Sequence, residues 1–552
     1  MSFSAIKHPP RWALWLLAAA LSLGAACCLG YYWRVFYYLD ARGVSGARLT
    51  LYLGALALAA VAGAWAVSRL RSFASRGAAC VFLCGLVFVF ASAPLQAPDE
   101  VQHYLRACSV SQGHFDFDAE RTYPEDVARL VAAFPGAWVN SHTSTGLVRD
   151  EKTGEEKVYD TTGYALKQYG EGGRVESMAD SFALYRDLSF TPEPVTEPIL
   201  FMVLPFVFQA AGIALARLLG LGALGCLYAG RAANLAAYAL LCRAALRRCR
   251  KSEPLFLAVM LCPLSLYMAA SMSYDAALLG CYYLMAALFA GEDFGTREAL
   301  LFLAAFTWVN MSKPWINLLW LALPLALPKA AYKARLKKWQ LALAALACAL
   351  AVTAFTSWYG SAFRYHYGTI GRMLDGVAQL PQLRFVLAYP LRFAAILVGT
   401  LYENDLFLGQ LGTFGSLDLP VELIDHTAGA MLLLGALLSV GEKPARTAPA
   451  RWAALGFALV YTAGCMTAMY ITYTPVGMIR IIGLQARYFL PVFLLLFWLA
   501  AQGLSALGRP RFDQGVASGA KTLSLLLFGG YALLGGLLLF QHYFIGPVYT
   551  IG

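Results

Sequence analysis

Apolar runs of about twenty residues recur from one end of this chain to the other, and no other feature restricts its fold so severely. They fall near 12–31, 49–68, 78–96, 222–242, 254–272, 275–291, 339–357, 425–440, 452–472, 488–507 and 522–541. A helix needs about 20 residues to cross a hydrocarbon core of about 30 Å, and only helices and closed barrels satisfy their backbone polar groups there. Two shorter runs, 298–311 and 315–328, cross as a thin or tilted pair. A composition of 59% hydrophobic and 14% charged residues is one that lipid as solvent explains. The chain therefore reads as an all-α multipass membrane protein. Its first apolar run lacks a small-residue cleavage site and reads as a retained helix.

Charge orients the spans. Lys and Arg cluster at 69–76, 243–251, 329–338 and 443–451, which places those short loops in the cytoplasm. The net charge of +11 is then a topology signal and an attraction to anionic lipid heads, and it requires no nucleic acid. Residues 97–197 hold 18 of the 32 acidic residues against 9 basic ones, so this loop belongs outside. The run from Ile199, interrupted by Pro205, is expected to be juxtamembrane or re-entrant, because a full span there would bring the 243–251 cluster out on the wrong side. About 13 transmembrane helices, with the N-terminus inside and the C-terminus outside, then satisfy every cluster. Of the 12 cysteines nearly all lie in apolar runs and read as small buried hydrophobes; Cys108 has no partner in its loop, so no disulfide framework is expected.

Three regions follow: a two-helix preamble 1–77, a transmembrane core 78–357 that contains the outer loop 97–197, and residues 358–552 with a second outer segment and the last helices. No inverted repeat of the transporter kind is visible. Short helices and a hairpin are expected in the Gly- and Tyr-rich outer loop. The second outer segment contains "RYHYG" (364–368) and a mixed stretch, "RFVLAYPLRFAAILVGTLYEN", suited to the membrane interface.

Candidate chemistry lies at the outer ends of the spans. In "APDEVQHYLR" a helix is expected to start at Asp99, after Pro98, with Glu100, His103 and Arg106 following. An acidic first turn stabilises a helix by itself, yet a carboxylate at the water edge, one turn from His103, is also placed to take a proton from an attacking hydroxyl. A divalent metal (Mg or Mn) on Asp99 and His103 is the other possibility, with only two ligands in view. Asp275 lies between two spans with almost no connection, where a charge must face water or a cavity, and with Asp99 it forms a two-carboxylate site. Lys313 in "MSKPW", with Arg480 and Arg487 from the last outer loop, supplies cations for a phosphate. Arg231 opens a span in the same way. Outer-loop aromatics, Tyr104, Trp138, Tyr159, Trp358 and Tyr365, suit either stacking on sugar rings or an interface belt. No P-loop, dinucleotide fingerprint, HExxH, paired CxxC or nucleophile elbow is present, so chemistry with a soluble nucleotide donor has no home.

The stretches "APDEVQHYLRACSVSQGHF", "LGCLYAGRAANLAAYALLCRAAL", "LCPLSLYMAASMSYDAALLGCYYLMAAL", "MSKPW" and "YTPVGMIRIIGLQARYFLPV" together resemble the bacterial membrane family catalogued as domain of unknown function 2142, over residues 78–507. That family looks like a distant relative of GT-C glycosyltransferases, multipass enzymes that use lipid-linked sugars. The resemblance implies a GT-C-like fold, with Asp99 as catalytic carboxylate and Glu100 beside it. It also implies substrate contacts from Arg231 and from Gln485, Arg487 and Tyr488 of the last motif. Two departures are the lack of a WWD-like acceptor motif and of a second acidic pair in the later outer segment.

The expected function is transfer of a sugar from a polyprenyl-phosphate donor to a cell-envelope glycan or lipid acceptor, with inversion, on the outer face of the bacterial cytoplasmic membrane. A lipid-linked glycan flippase or other transporter is the alternative, and a scaffold for other envelope enzymes a third reading.

Overall fold

The computed structural model describes residues 69–544 except 117, 119, 135–144, 150–155, 161–167, 170–172, 175–177, 197–202, 250, 363–375, 416–418, 442 and 508–513, with scattered positions between 54 and 67. The expected two-helix preamble, "RYHYG" at 364–368, Trp138 and Tyr365 fall largely or wholly outside the described residues.

The described chain is mostly helical. α1 (Phe73–Ala91) opens at Ser72, whose hydroxyl accepts the Ser75 amide at 3.1 Å, a standard N-cap. A buried turn leads to α2 (Glu100–Ser111) and α3 (Glu125–Ala133). Two antiparallel pairs follow, β1 (Thr145–Arg149) with β2 (Glu156–Asp160) and β3 (Gln168–Tyr169) with β4 (Gly173–Arg174), before α4 (Met178–Arg186). α5 (Val207–Leu218), α6 (Ala223–Leu246), α7 (Glu253–Met260), α8 (Pro263–Ala269), α9 (Asp275–Ala290) and α10 (Thr296–Ser312) form the central bundle. A 3-10 turn, Ile316–Leu321, runs into the short α11 (Ala322–Leu325), and α12 (Lys338–Ala362) closes this half. Beyond it lie α13 (Gln379–Ala388), α14 (Pro390–Glu403), the pair β5 (Thr413–Phe414) and β6 (Leu419–Pro420), α15 (Glu422–Leu437), α16 (Ala448–Thr472), α17 (Leu490–Ala506) and α18 (Gln514–Phe544).

Among the described residues, α1, α12, α16 and α18 are long and apolar enough to cross a membrane by length and composition. The pair α13 and α14, bent by 106° at Tyr389, brings the count to five if it is one span. The expectation of about 13 spans rested on apolar runs, and backbone chemistry interrupts several of them. Pro263, which has no amide hydrogen to donate, divides the 254–272 run into α7 and α8. The 315–328 run is a 3-10 turn plus one helical turn, and α9 has only 16 residues.

Packing is closest where small residues let backbones meet. A Cβ at Gly212 of α5 would lie 2.4 Å from the Ala229 carbonyl oxygen of α6, so these two helices touch backbone to backbone.

Polar contacts divide the bundle into two ends. At one, Arg243 donates to Ser75 Oγ at 3.1 Å, Arg248 faces Glu298 at 3.8 Å, Lys251 faces Glu292 at 3.4 Å and Lys333 faces Asp293 at 2.8 Å. Arg446 joins them, donating to the carbonyls of Phe289, Gly291 and Glu292 at the C-terminus of α9. All four basic clusters therefore share this end. The opposite end carries Asp99, Asp275, Lys313 and Arg487. α5 stays there: Gln209 in its first turn reaches the carbonyls of Met272 and Ser273, and Arg217 in its last turn pairs with Asp126 at 2.5 Å.

Candidate functional site

The site end is organised by a buried ion pair. Arg231, on α6, is fully buried and uses all five of its donor positions. Nε and Nη2 reach the two oxygens of Glu100 at 2.8 and 2.6 Å. Nη1 donates to the carbonyls of Val89 and Ser92, and Nη2 also to Ala93. Those carbonyls lie at and just beyond the C-terminal turn of α1, where helical partners run out. Glu100 in turn accepts the amides of Met272 at 3.0 Å and Ala97 at 3.2 Å. Neither side chain has any exposed surface, so Glu100 does not face water beside Asp99.

A second set of polar side chains holds the irregular turn 270–274 between α8 and α9. Its carbonyls lie where no helix can satisfy them, and a buried orphan carbonyl is costly. Asn234 donates to Ser271 at 2.8 Å and to Ser273 at 2.7 Å, while Gln209 donates to Met272 and Ser273. Ser273 Oγ accepts the Asp275 amide at 3.2 Å. Neither Gln209 nor Asn234 stands out in the sequence; the available signal was an amide side chain amid the apolar helices 204–218 and 223–246.

Asp275, thus placed at the first turn of α9, meets two cations. Arg487 Nη1 lies 3.1 Å from one carboxylate oxygen and Lys313 Nζ 3.9 Å from the other. Tyr488 completes the group, its ring 4.2 Å from Lys313 Nζ and 5.4 Å from the Arg487 guanidinium carbon. Asp275 and Arg487 are buried; Lys313 is 31% exposed and forms the open side. Two cations against one carboxylate leave one positive charge in excess, and Arg487 Nε is buried without a hydrogen-bond partner. The arrangement suits a singly or doubly charged anion entering past Lys313.

Asp99 stands differently from the acidic helix cap that its position suggests. The helix starts one residue later than expected, at Glu100, and Asp99 takes the left-handed conformation, φ 57° and ψ 16°, with no capping bond from its side chain. It is the one exposed residue in the stretch 91–100. Aspartate tolerates this backbone region better than most residues, and the result is a carboxylate turned to water. One helical turn on, His103 is buried between the rings of Phe206 and Tyr274, 5.4 and 5.3 Å away. Burial lowers its pKa to about 4, against the pull of Asp99 and Asp275 and helped by Arg487. At neutral pH the imidazole is uncharged. Tyr274 directly precedes Asp275, so His103 and Tyr274 link the Asp99 turn to the cationic group.

Several expected residues lie elsewhere. Arg106 is buried 10 residues from the chain it fixes, donating to the Asp116 carbonyl at 3.2 Å and to the Tyr359 hydroxyl at 2.5 Å; Tyr359 itself donates to the Phe115 carbonyl. That network ties the loop after α2 to the end of α12. Arg480 is 58% exposed and 4.0 Å from Glu403, apart from the Asp275 group. Gln485 is half-buried just before the 3-10 turn Ala486–Tyr488 that carries Arg487. Tyr104 is buried and donates to the Ala223 carbonyl, which removes it from any stacking surface.

A divalent cation does not fit these residues. No group of three or more His, Cys, Asp or Glu occurs among the described residues. Glu100 is taken up by Arg231, and Asp275 already has two cations as neighbours. An apolar groove of about 360 Å³ lies between α6, α9 and α10, lined by Leu240, Leu241, Leu284, Leu301 and Trp308 among others. Its lining begins at Ala277, two residues beyond Asp275 on α9.

No curated protein and no solved structure matches this chain. One family model does, that of a predicted membrane protein, DUF2142, over residues 82–496. That span covers about three-quarters of the sequence, includes every candidate residue from Asp99 to Tyr488, and begins after the preamble. The chain is a helical membrane protein that belongs to the DUF2142 family.

Proposed function

We propose that this protein is a membrane glycosyltransferase of GT-C type that takes its sugar from a polyprenyl-phosphate donor. The observation that carries the reading is the presence, at the same end of the bundle, of one exposed carboxylate, Asp99, and a partly buried group of excess positive charge, Lys313 and Arg487. Asp99 takes the proton from an acceptor hydroxyl as its oxygen attacks the anomeric carbon. The bond from that carbon to the phosphate oxygen breaks on the opposite face, with inversion, and the electron pair leaves with the phosphate. Lys313 and Arg487 stabilise the charge that grows there, a task in which fixed dipoles and cations in a dry site are effective. The apolar groove along α9 offers a path for an isoprenoid tail.

In this reading the end that gathers the basic clusters is cytoplasmic, by the excess of Lys and Arg in its short loops. The site then lies on the outer face of a bacterial cytoplasmic membrane, and shorter helices such as α9 and α10, which run from one end of the bundle to the other, count among about 13 spans. The acceptor is a cell-envelope glycan or lipid.

The test is release of polyprenyl phosphate from polyprenyl-phosphate hexose by the full chain in nanodiscs supplied with envelope glycans and lipids. Asp99→Asn is expected to lower release by about 100- to 10,000-fold with thermal stability retained. Near wild-type release from that variant removes Asp99 from the chemistry. Movement of the intact donor across vesicles without bond cleavage would identify a flippase.

A further inference from the structure

Trp315 is held in a backbone conformation that a bulky residue adopts only under constraint. Its φ is 69° and its ψ −55°, and the Ile316 amide donates to the Pro314 carbonyl at 2.9 Å. This is the tight three-residue γ-turn of the rare, strained hand, with tryptophan at its centre. The surroundings enforce it. Asn317, fully buried, donates through Nδ2 to the carbonyls of Val309 and Lys313 at the end of α10, and its Oδ1 accepts the Tyr282 hydroxyl at 2.8 Å. Tyr282 is fixed by stacking on Trp320, 5.3 Å away and 11° from parallel. Ile316 is pressed on Gly464 of α16, where an added Cβ would lie 2.5 Å from its Cδ1. With Lys313, Ile316 and Asn317 held in this way, the chain turns Trp315 outward, and it is 51% exposed, two residues from Lys313.

An exposed tryptophan at a helix end is ordinarily an interface anchor. This chain has such residues, Trp339, Trp358 and Trp452, all exposed and all on regular helices. Anchoring therefore needs no strained turn here. Strain that the surroundings over-determine points to a side chain whose direction matters to a ligand. Lys313, two residues earlier on the same turn, forms the open side of the cationic group, so the ligand portion at Trp315 is one attached to an anion, and an indole face offers an apolar platform to the C–H face of a sugar ring.

We infer that Trp315 stacks on the sugar of a lipid-phosphate-linked donor held by Lys313 and so selects sugar-bearing lipid over bare lipid phosphate; this rests on the glycosyltransferase reading above. The full chain in nanodiscs, loaded with equal amounts of polyprenyl phosphate and polyprenyl-phosphate hexose, is examined by native mass spectrometry as wild type, Trp315→Phe and Trp315→Leu. Wild type is expected to favour the hexose lipid by roughly three- to tenfold, Phe to keep most of that preference, and Leu to lose it while retaining the bare lipid as before. A preference unchanged in Trp315→Leu overturns the inference, and so does an equal fall in both lipids, which is the signature of a bilayer anchor. Wild type that binds neither lipid overturns the donor reading itself, a result separable from the other two because it needs no variant. Trp315→Gly is the control for the fold: relief of the strained turn predicts a thermal midpoint no lower than wild type, the reverse of an ordinary Trp→Gly change.

Discussion

The two ends of the bundle use charge in opposite ways. At the basic end Arg248 with Glu298 is partly covered, whereas two of the ion pairs are wet: Lys251 with Glu292 and Lys333 with Asp293 keep more than half of each side chain exposed. Their charges can be rearranged without exposing a buried partner, and they serve orientation and helix capping. At the site end the two pairs that build the site are dry, though Arg217 with Asp126 stays a third exposed. Arg231 and Glu100 have no exposed surface, and Asp275 with Arg487 almost none. Burying two charges is paid for only by near-complete hydrogen bonding, and a hydrophobic pair of the same volume is often as stable. Charge at the site end is thus explained by position: the Arg231–Glu100 pair fixes the end of α1, the start of α2 and the 270–274 turn together, and so sets Asp99 and Asp275 relative to one another.

The largest effect is expected from Arg231→Met. It strands Glu100 in a dry interior, and unfolding stability is expected to fall by about 3–5 kcal/mol, measured by thermal or denaturant unfolding in detergent. The double variant Arg231→Met with Glu100→Leu is expected to recover much of that loss. A recovered fold that still lacks activity would separate positioning from stability. If the single variant is as stable as wild type, the pair is not the keystone of this end.

Acid sharpens the contrast. The unfolded His103 takes up a proton near pH 6.5, whereas the folded one resists until about pH 4. Between those values the unfolded state binds more protons, so stability falls as pH drops from about 6.5 to 4 and levels off below. The loss is on the order of 1–3 kcal/mol, and His103→Phe should abolish that part of the pH dependence in unfolding experiments. A slope unchanged in the variant would show that other groups carry it.

The smallest effect is expected at the basic end. Lys333→Ala and Lys251→Ala should each change stability by about 0–1 kcal/mol, less at high salt, with donor binding unaffected. A loss comparable with that of Arg231→Met would erase the distinction between the two ends.

Particular residues show where sequence reading ended. Asp99, Asp275, Lys313 and Arg487 were each legible, because a charge at the edge of an apolar run is conspicuous against its neighbours. Their partners were not. Glu100 and Arg231 are 131 positions apart, and nothing local to either indicates the other. Arg106 has the same helical spacing from His103 that made it a candidate, yet it turns to Tyr359, 253 residues away. Gln209 and Asn234 look like ordinary polar substitutions in apolar helices until the turn they satisfy is seen. Breaks within the apolar runs were not legible either, since such a run registers hydrophobicity but not the interruption that Pro263 introduces.

Solvent preference is a sum over local composition, and for that reason the sequence by itself determined that this chain is helical, membrane-embedded and divided into basic loops and an acidic segment. Which charges would be buried, and beside what, depends on contacts between helices distant in the chain, where one Arg–Glu pair can join three separate segments at once. Only the tertiary structure decided that Glu100 would hold the scaffold and Asp99 the water, one residue and one left-handed turn apart.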